Sequence, residues 1–113
     1  MAKRGETRPA IIRGTTNVFA DLGYADAEER QTKLRLAYAI NQIVDQRGLT
    51  QAEEAAALGV NQPKVSALRR YRLDGFSVER LMTFLTALGQ DVEIVIRKKP
   101  RSRPEARISV VAA

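Results

Sequence analysis

Leu49–Leu68 reads LTQAEEAAALGVNQPKVSAL and packs two helix starts and a helix stop into one short stretch. Thr50 precedes the first helix, and Glu53, three residues on, completes a reciprocal capping box with it. Gly59 ends that helix after about two turns, because it supplies a turn backbone that other residues resist. Asn61 caps the second helix, and Pro63 falls in its first turn, where a missing N–H costs nothing. This second helix is expected to run to about Tyr71. Ala55 is small enough to let the two helices cross closely. Leu58, Val60, Val65 and Leu68 have the spacing to point inward and hold the crossing angle. The second helix then stands out as a rod about 10–12 Å across with its side chains.

On the N-terminal side, Leu34, Leu36, Ala37, Ile40, Ile43 and Val44 form an apolar stripe at helical spacing. It predicts a helix over about Ala27–Gln46, capped by Asp26 with Glu29 as its box partner and closed by Gly48. Before it, Asn17–Tyr24 carries Val18, Phe19 and Leu22, enough for a helical turn docked on the body and ended by Gly23. On the C-terminal side, Asp74-Gly75 reads as a turn. Ser77 caps a further helix whose inner face is Val78, Leu81, Phe84, Leu85 and Leu88, with Gly89 after it. The period then changes. In Asp91–Lys99, Val92, Ile94 and Ile96 alternate with Glu93, Val95 and Arg97, the pattern of a strand with one apolar face. A lone strand leaves a row of unpaired backbone groups, and the simplest partner is the same strand of a second copy. Pro100–Pro104 reads as a basic, proline-marked linker, and Ile108–Val111 as a weak strand or a tail. The expected fold class is therefore all-α, a bundle of four to five helices plus a C-terminal β-strand that pairs across a homodimer. The expected organisation is a flexible basic arm (residues 1–16), one helical domain with a dimerisation strand (17–99) and a basic tail (100–113).

The chain has 113 residues, room for one modest core. Its 19 basic and 13 acidic residues leave a net charge of +6, which favours an anionic partner, nucleic acid before membrane. The charge is concentrated at the ends, with a body close to neutral. There is no Cys and no His, which removes disulfides, zinc fingers and Cys or His nucleophile–base pairs. No cofactor or metal is expected. No apolar run reaches the ~20 residues of a membrane span, and Lys3 and Arg4 are not followed by an apolar stretch, so the default address is the cytoplasm. An active site is not expected either. Lys64 and Ser66 are two apart on a helix and do not face each other. Glu28–Glu29 and Glu53–Glu54 are adjacent pairs that diverge, and the glycines are isolated punctuation.

Two short helices joined by a glycine turn are the core of a helix-turn-helix, and Leu49–Leu68 resembles the xenobiotic-response-element (XRE) class of regulators, which includes the Cro and phage repressors. The likeness extends through NVFADLGYADAEE, QPKVSALRR, DGFSVERLMTFLTALG and DVEIVIR, where the chain resembles HigA-like antitoxins; together it covers about residues 17–99. One position departs from the pattern. Glu54 stands where such helices carry a small or apolar residue, so its carboxylate must reach the rim or find a cation, and the rim is the expectation.

The resemblance implies a lambda-repressor-like fold, double-stranded operator DNA as partner and the helix that Asn61 caps as its reader. Helical geometry distributes the roles. Gln62, Lys64, Ser66 and Arg70 are expected toward base edges, with Gln62 suited to adenine and Lys64 or Arg70 to guanine. Pro63 and Ala67 lie on the same outward side, the Ala67 methyl suited to a thymine methyl. Asn61, Arg69 and Arg72 are expected on phosphates, as is Gln51 at the start of the preceding helix. Val92, Ile94 and Ile96 are the expected dimerisation residues. The antitoxin likeness further implies repression of a shared operon and a small cognate toxin as protein partner, with Phe19, Leu22, the first half of the long helix or residues 100–113 as candidate contacts. The alternative is a stand-alone regulator of the XRE type without a toxin.

Overall fold

A computed structural model of the chain describes residues 24–112, with side chains described from Ala27 onward. The expected arm over residues 1–16 and the docked turn with Val18, Phe19 and Leu22 lie outside the described residues. Four helices are present among the described ones: α1 (Tyr24–Arg47), α2 (Gln51–Leu58), α3 (Gln62–Arg69) and α4 (Val78–Ala87). The core, cap and groove contacts below all lie within one compact unit, Gln31–Ala113.

Helix α1 is longer than its apolar stripe indicated. It begins at Tyr24, so Asp26 lies inside its first turn rather than at its cap. The stripe itself faces the core, with Leu36, Ala37, Ile40 and Val44 all buried, while Leu34 is 41% exposed. Gly48 follows Arg47 with φ +63°, and the Leu49 N–H returns to the Val44 carbonyl at 3.2 Å, which closes the helix end.

The caps of the next three helices form as the sequence indicates. The Thr50 hydroxyl accepts from the Glu53 N–H at 3.1 Å, while the Glu53 carboxylate accepts from the Thr50 N–H at 2.9 Å. The Asn61 side chain accepts from the Lys64 N–H at 2.9 Å, and Ser77 Oγ from the Arg80 N–H at 3.0 Å. Between α2 and α3, Gly59 sits at φ +71° with nothing within 4 Å of where a Cβ would stand. Its value is the left-handed backbone alone.

The core draws on all four helices and on the loop before α4. Leu58 of α2, Val65 and Leu68 of α3, and Leu81, Phe84, Leu85 and Leu88 around α4 are buried together with the α1 stripe. Leu73 and Phe76, in the loop after α3, are buried as well. Periodicity gave no sign of them because a loop has none. Phe76 meets Phe84 edge to face, centroids 5.9 Å apart, a favoured aromatic geometry. Two polar ties fasten α1. Asn41 donates to the Leu68 carbonyl at 3.2 Å, and Arg47 to the Leu88 carbonyl at 2.6 Å. The ends of α3 and α4 are thereby fixed to one long rod.

The C-terminal segment departs from expectation. Residues 90–100 carry no strand, and no strand is present among the described residues. The alternation of Val92, Ile94 and Ile96 is real, but a strand exists only through a hydrogen-bonded neighbour, and a single chain offers this segment none. Ile94 and Ile96 are accordingly 75% and 93% exposed. The tail beyond it is not wholly detached. Val110 packs against the core cluster, and Arg35 donates to its carbonyl at 3.5 Å.

Candidate nucleic-acid interface

Helix α3 is shorter than the segment Asn61–Tyr71. Its helical residues are Gln62–Arg69, Asn61 is its cap and Arg70 its C-cap. Tyr71 follows with φ +60°, a left-handed backbone on a residue with a full side chain. The Tyr71 N–H bonds the Leu68 carbonyl at 3.1 Å and the Arg72 N–H the Ala67 carbonyl at 2.9 Å. This double closure normally ends on glycine, and here an aromatic residue takes the glycine's place. The chain turns sharply there, so Arg70, Tyr71 and Arg72 leave the helix axis rather than extend it.

The inner side of α3 is held by Val65 and Leu68, both 0% exposed. Opposite them, Gln62, Pro63, Arg70 and Arg72 are exposed, and Gln51 is exposed at the N-terminus of α2. Ser66 is half-buried, and so is Ala67, which packs against the core cluster. Lys64 is drawn back. Its Nζ donates to the Gly75 carbonyl at 3.3 Å and lies 5.0 Å from the centre of the Phe76 ring, a cation–π distance. The ammonium therefore starts from a position that braces the loop after α3. Asn61 spends its side-chain oxygen on the cap.

Arg69 and Glu54 form the feature that single-residue reading missed. Glu54 is 0% exposed, so its carboxylate does not lie at the rim. Its Oε1 accepts from Arg69 Nε at 2.8 Å, and Arg69 Nη2 also donates to the Leu49 carbonyl at 2.9 Å. One guanidinium thus ties α3 to α2 and to the residue before the α2 cap. The expectation that Arg69 holds a phosphate meets a side chain already engaged twice inside the protein. Glu54 Oε2 is buried without a partner, so the pair is only partly satisfied. The sequence signal was the misfit of Glu54 itself: a carboxylate on an apolar face demands a cation.

The arrangement presents a short helix on a fixed mount. The described surface of α3 and the turn after it carries Gln62, Arg70 and Arg72 free of internal bonds, and among the described residues no cluster of His, Cys, Asp or Glu could hold a metal. No helix among them is long and apolar enough to cross a membrane.

Comparison with known proteins agrees with this geometry. Residues 18–97 match the family described as "Helix-turn-helix domain". A solved structure named as a transcriptional regulator of the XRE family is 77% identical, with a TM-score of 0.76, over 78% of this chain and 99% of that one. A search of curated proteins returns no match. The family match spans well over half the chain, and it includes every residue of the α2–α3 unit. The chain belongs to the helix-turn-helix family of XRE-type regulators, a family of regulators rather than enzymes.

Proposed function

We propose that this protein is a sequence-specific DNA-binding repressor that reads the major groove with α3 as a homodimer. One observation carries the reading: α3 is clamped from behind by Val65, Leu68 and the Glu54–Arg69 pair, and Gln62 at its start and Arg70 and Arg72 in the turn after it are exposed. A rod of that diameter fits a major groove about 12 Å wide. Gln62 and Arg70 are the groups for base edges, and Lys64 joins them if it leaves the Gly75 carbonyl. Arg72, Gln51 and the free amide of Asn61 serve phosphates. Ser66, Pro63 and Ala67 line the close approach.

The homodimer rests on two considerations. A single helix-turn-helix makes too few contacts for tight specific binding, and paired half-sites about 34 Å apart remedy this. The exposed Val92, Ile94 and Ile96 need a covering partner, and a second copy of the same segment supplies both an apolar face and a hydrogen-bonding edge. The antitoxin role rests on the resemblance of the sequence to HigA-like proteins. A small toxin-like reading frame beside this gene supports it, and a solitary gene favours the stand-alone regulator.

Electrophoretic mobility shift with DNA from the chain's own promoter tests the reading. Gln62→Ala and Arg70→Ala should weaken binding to that DNA more than to random duplex. If both bind like the wild type, α3 is not the reader. Ile94→Pro should give monomers in analytical ultracentrifugation, and an unchanged dimer removes the segment from the interface.

A further inference from the structure

We infer that the loop Arg97–Arg107 is a second DNA-binding element, which places Arg101 in the minor groove beside the site read by α3; the inference rests on the α3 reading above. The segment RKKPRSRPEAR carries six cations against one carboxylate. Its residues are exposed apart from half-buried Arg103. None of the six cations enters an ion pair with a described residue. Their internal bonds are local: Lys99 Nζ donates to the Arg103 carbonyl at 3.0 Å, and Arg103 Nη1 to the Glu105 carbonyl at 3.0 Å. Beyond these two local bonds the charge has no partner among the described residues, and a loop of self-repelling cations is stabilised by an anion that spans them all.

The loop also has a shape and a root. The Arg103 N–H bonds the Pro100 carbonyl at 3.3 Å, which closes a β-turn with Arg101 and Ser102 at its tip. Pro100 and Pro104 bracket that turn and lower the entropy its ordering would cost. Arg101, at the tip of this turn, is exposed and makes no bond to a described residue. The stretch that carries the loop, residues 92–109, leaves and returns at the same place. Asp91 and Val110 line one open groove, and Tyr71, the residue that ends α3, lines it too. The basic loop is thus rooted, through six residues on one side and three on the other, in a groove that Tyr71 at the end of α3 also lines. From Arg101 back to Val110 the chain can span at most about 30 Å. The neighbouring minor groove is about half a helical turn, ~17 Å, from the major-groove site, well inside that reach. A narrow A·T-rich minor groove concentrates negative potential and takes up arginine in preference to the more strongly hydrated lysine.

The test uses the full chain and a duplex it selects from a randomised library, rebuilt with either A·T or G·C flanks, with affinity followed by fluorescence anisotropy across a salt series. Wild type should prefer A·T flanks by about tenfold. Arg101→Ala should lose that preference, and Arg101→Lys should lose most of it while keeping its salt dependence. A Lys98→Ala, Lys99→Ala, Arg101→Ala, Arg103→Ala chain should lower the log–log salt slope by about three. Equal affinity for both flanks overturns the minor-groove placement, even where the slope falls. An unchanged slope in the fourfold variant overturns the loop as a DNA contact altogether. Arg70→Ala separates the two readings: it should weaken binding on both flanks. Wild-type behaviour in that variant, or a wild-type chain that selects no duplex, removes the α3 reading itself.

Discussion

Removing the Arg69 guanidinium should destabilise the protein more than removing the Glu54 carboxylate, although the two form one ion pair. At 2.8 Å and an effective dielectric near 20, the gross attraction is about 6 kcal/mol, most of it offset by the desolvation of both groups. The net outcome of each substitution depends on what is left behind. With Arg69→Met, a fully buried carboxylate loses its cation while Oε2 already has no partner. The expected cost is about 3–5 kcal/mol. With Glu54→Met, the remaining guanidinium keeps its bond to the Leu49 carbonyl and is 31% exposed, so water can reach it. The expected cost is about 1–2 kcal/mol, the scale of one charge-assisted hydrogen bond. The double variant leaves two apolar side chains of similar length in a dry contact and should return to within about 1 kcal/mol of wild type, or exceed it. Urea unfolding of all four proteins at one fixed concentration gives the cycle. The reasoning is refuted if Glu54→Met costs more than Arg69→Met, or if the double variant is as unstable as the worse single one. The same double variant tests the phosphate assignment. DNA affinity within about twofold of wild type makes Arg69 a mount for α3, and a tenfold loss restores it as a contact.

Three further perturbations have defined outcomes. Thr50→Ala removes one half of the capping box and should cost about 1 kcal/mol in chemical denaturation, with Glu53 left unable to compensate because its own bond is to the backbone. Gly59→Ala meets no steric obstacle, yet the left-handed backbone should cost about 1–2 kcal/mol; a change below about 0.3 kcal/mol in thermal unfolding would mean that the turn relaxes. Phe76→Ala should cost about 3–5 kcal/mol through the lost core volume, and it also removes the ring under Lys64, so any rise in DNA affinity per folded molecule would show that the lysine is held back in the free protein.

The parts of the fold that were legible in the sequence are those built from neighbours. Thr50 with Glu53, Asn61 with the N–H of Lys64, and Gly59 after Leu58 each act over a few residues, and each stands where local chemistry puts it. The parts that were not legible act over distance. Glu54 and Arg69 are separated by the whole turn, and only the folded chain brings them within 2.8 Å. Leu73 and Phe76 are core residues carried by a loop, so no period announces them. Arg70 and Tyr71 looked like a continuation of the helix, but it ends at Arg69, and the left-handed Tyr71 turns the chain away. The alternation of Val92, Ile94 and Ile96 suggested a strand with one apolar face, but the segment forms no strand and exposes Val95 along with them, because alternation alone does not supply a hydrogen-bonded neighbour.

These long-range features act on the same helix. Lys64 is braced on Gly75 and Phe76, Arg69 on Glu54 and Leu49, and Leu68 on Asn41. Of the basic residues Lys64–Arg72, only Arg70 and Arg72 are left without an internal partner, and they lie at or beyond the helix end rather than along it. A basic helix therefore does not imply a uniformly basic outer surface. Two of these four cations hold the rod in place, and the exposed residues of the helix itself, Gln62 and Pro63, are uncharged. That division favours specificity over raw attraction, because uncharged groups discriminate between bases while cations bind any phosphate. On the proposed reading the general attraction comes from elsewhere in the chain, and among the described residues the largest store of positive charge outside ion pairs is Arg97–Arg107.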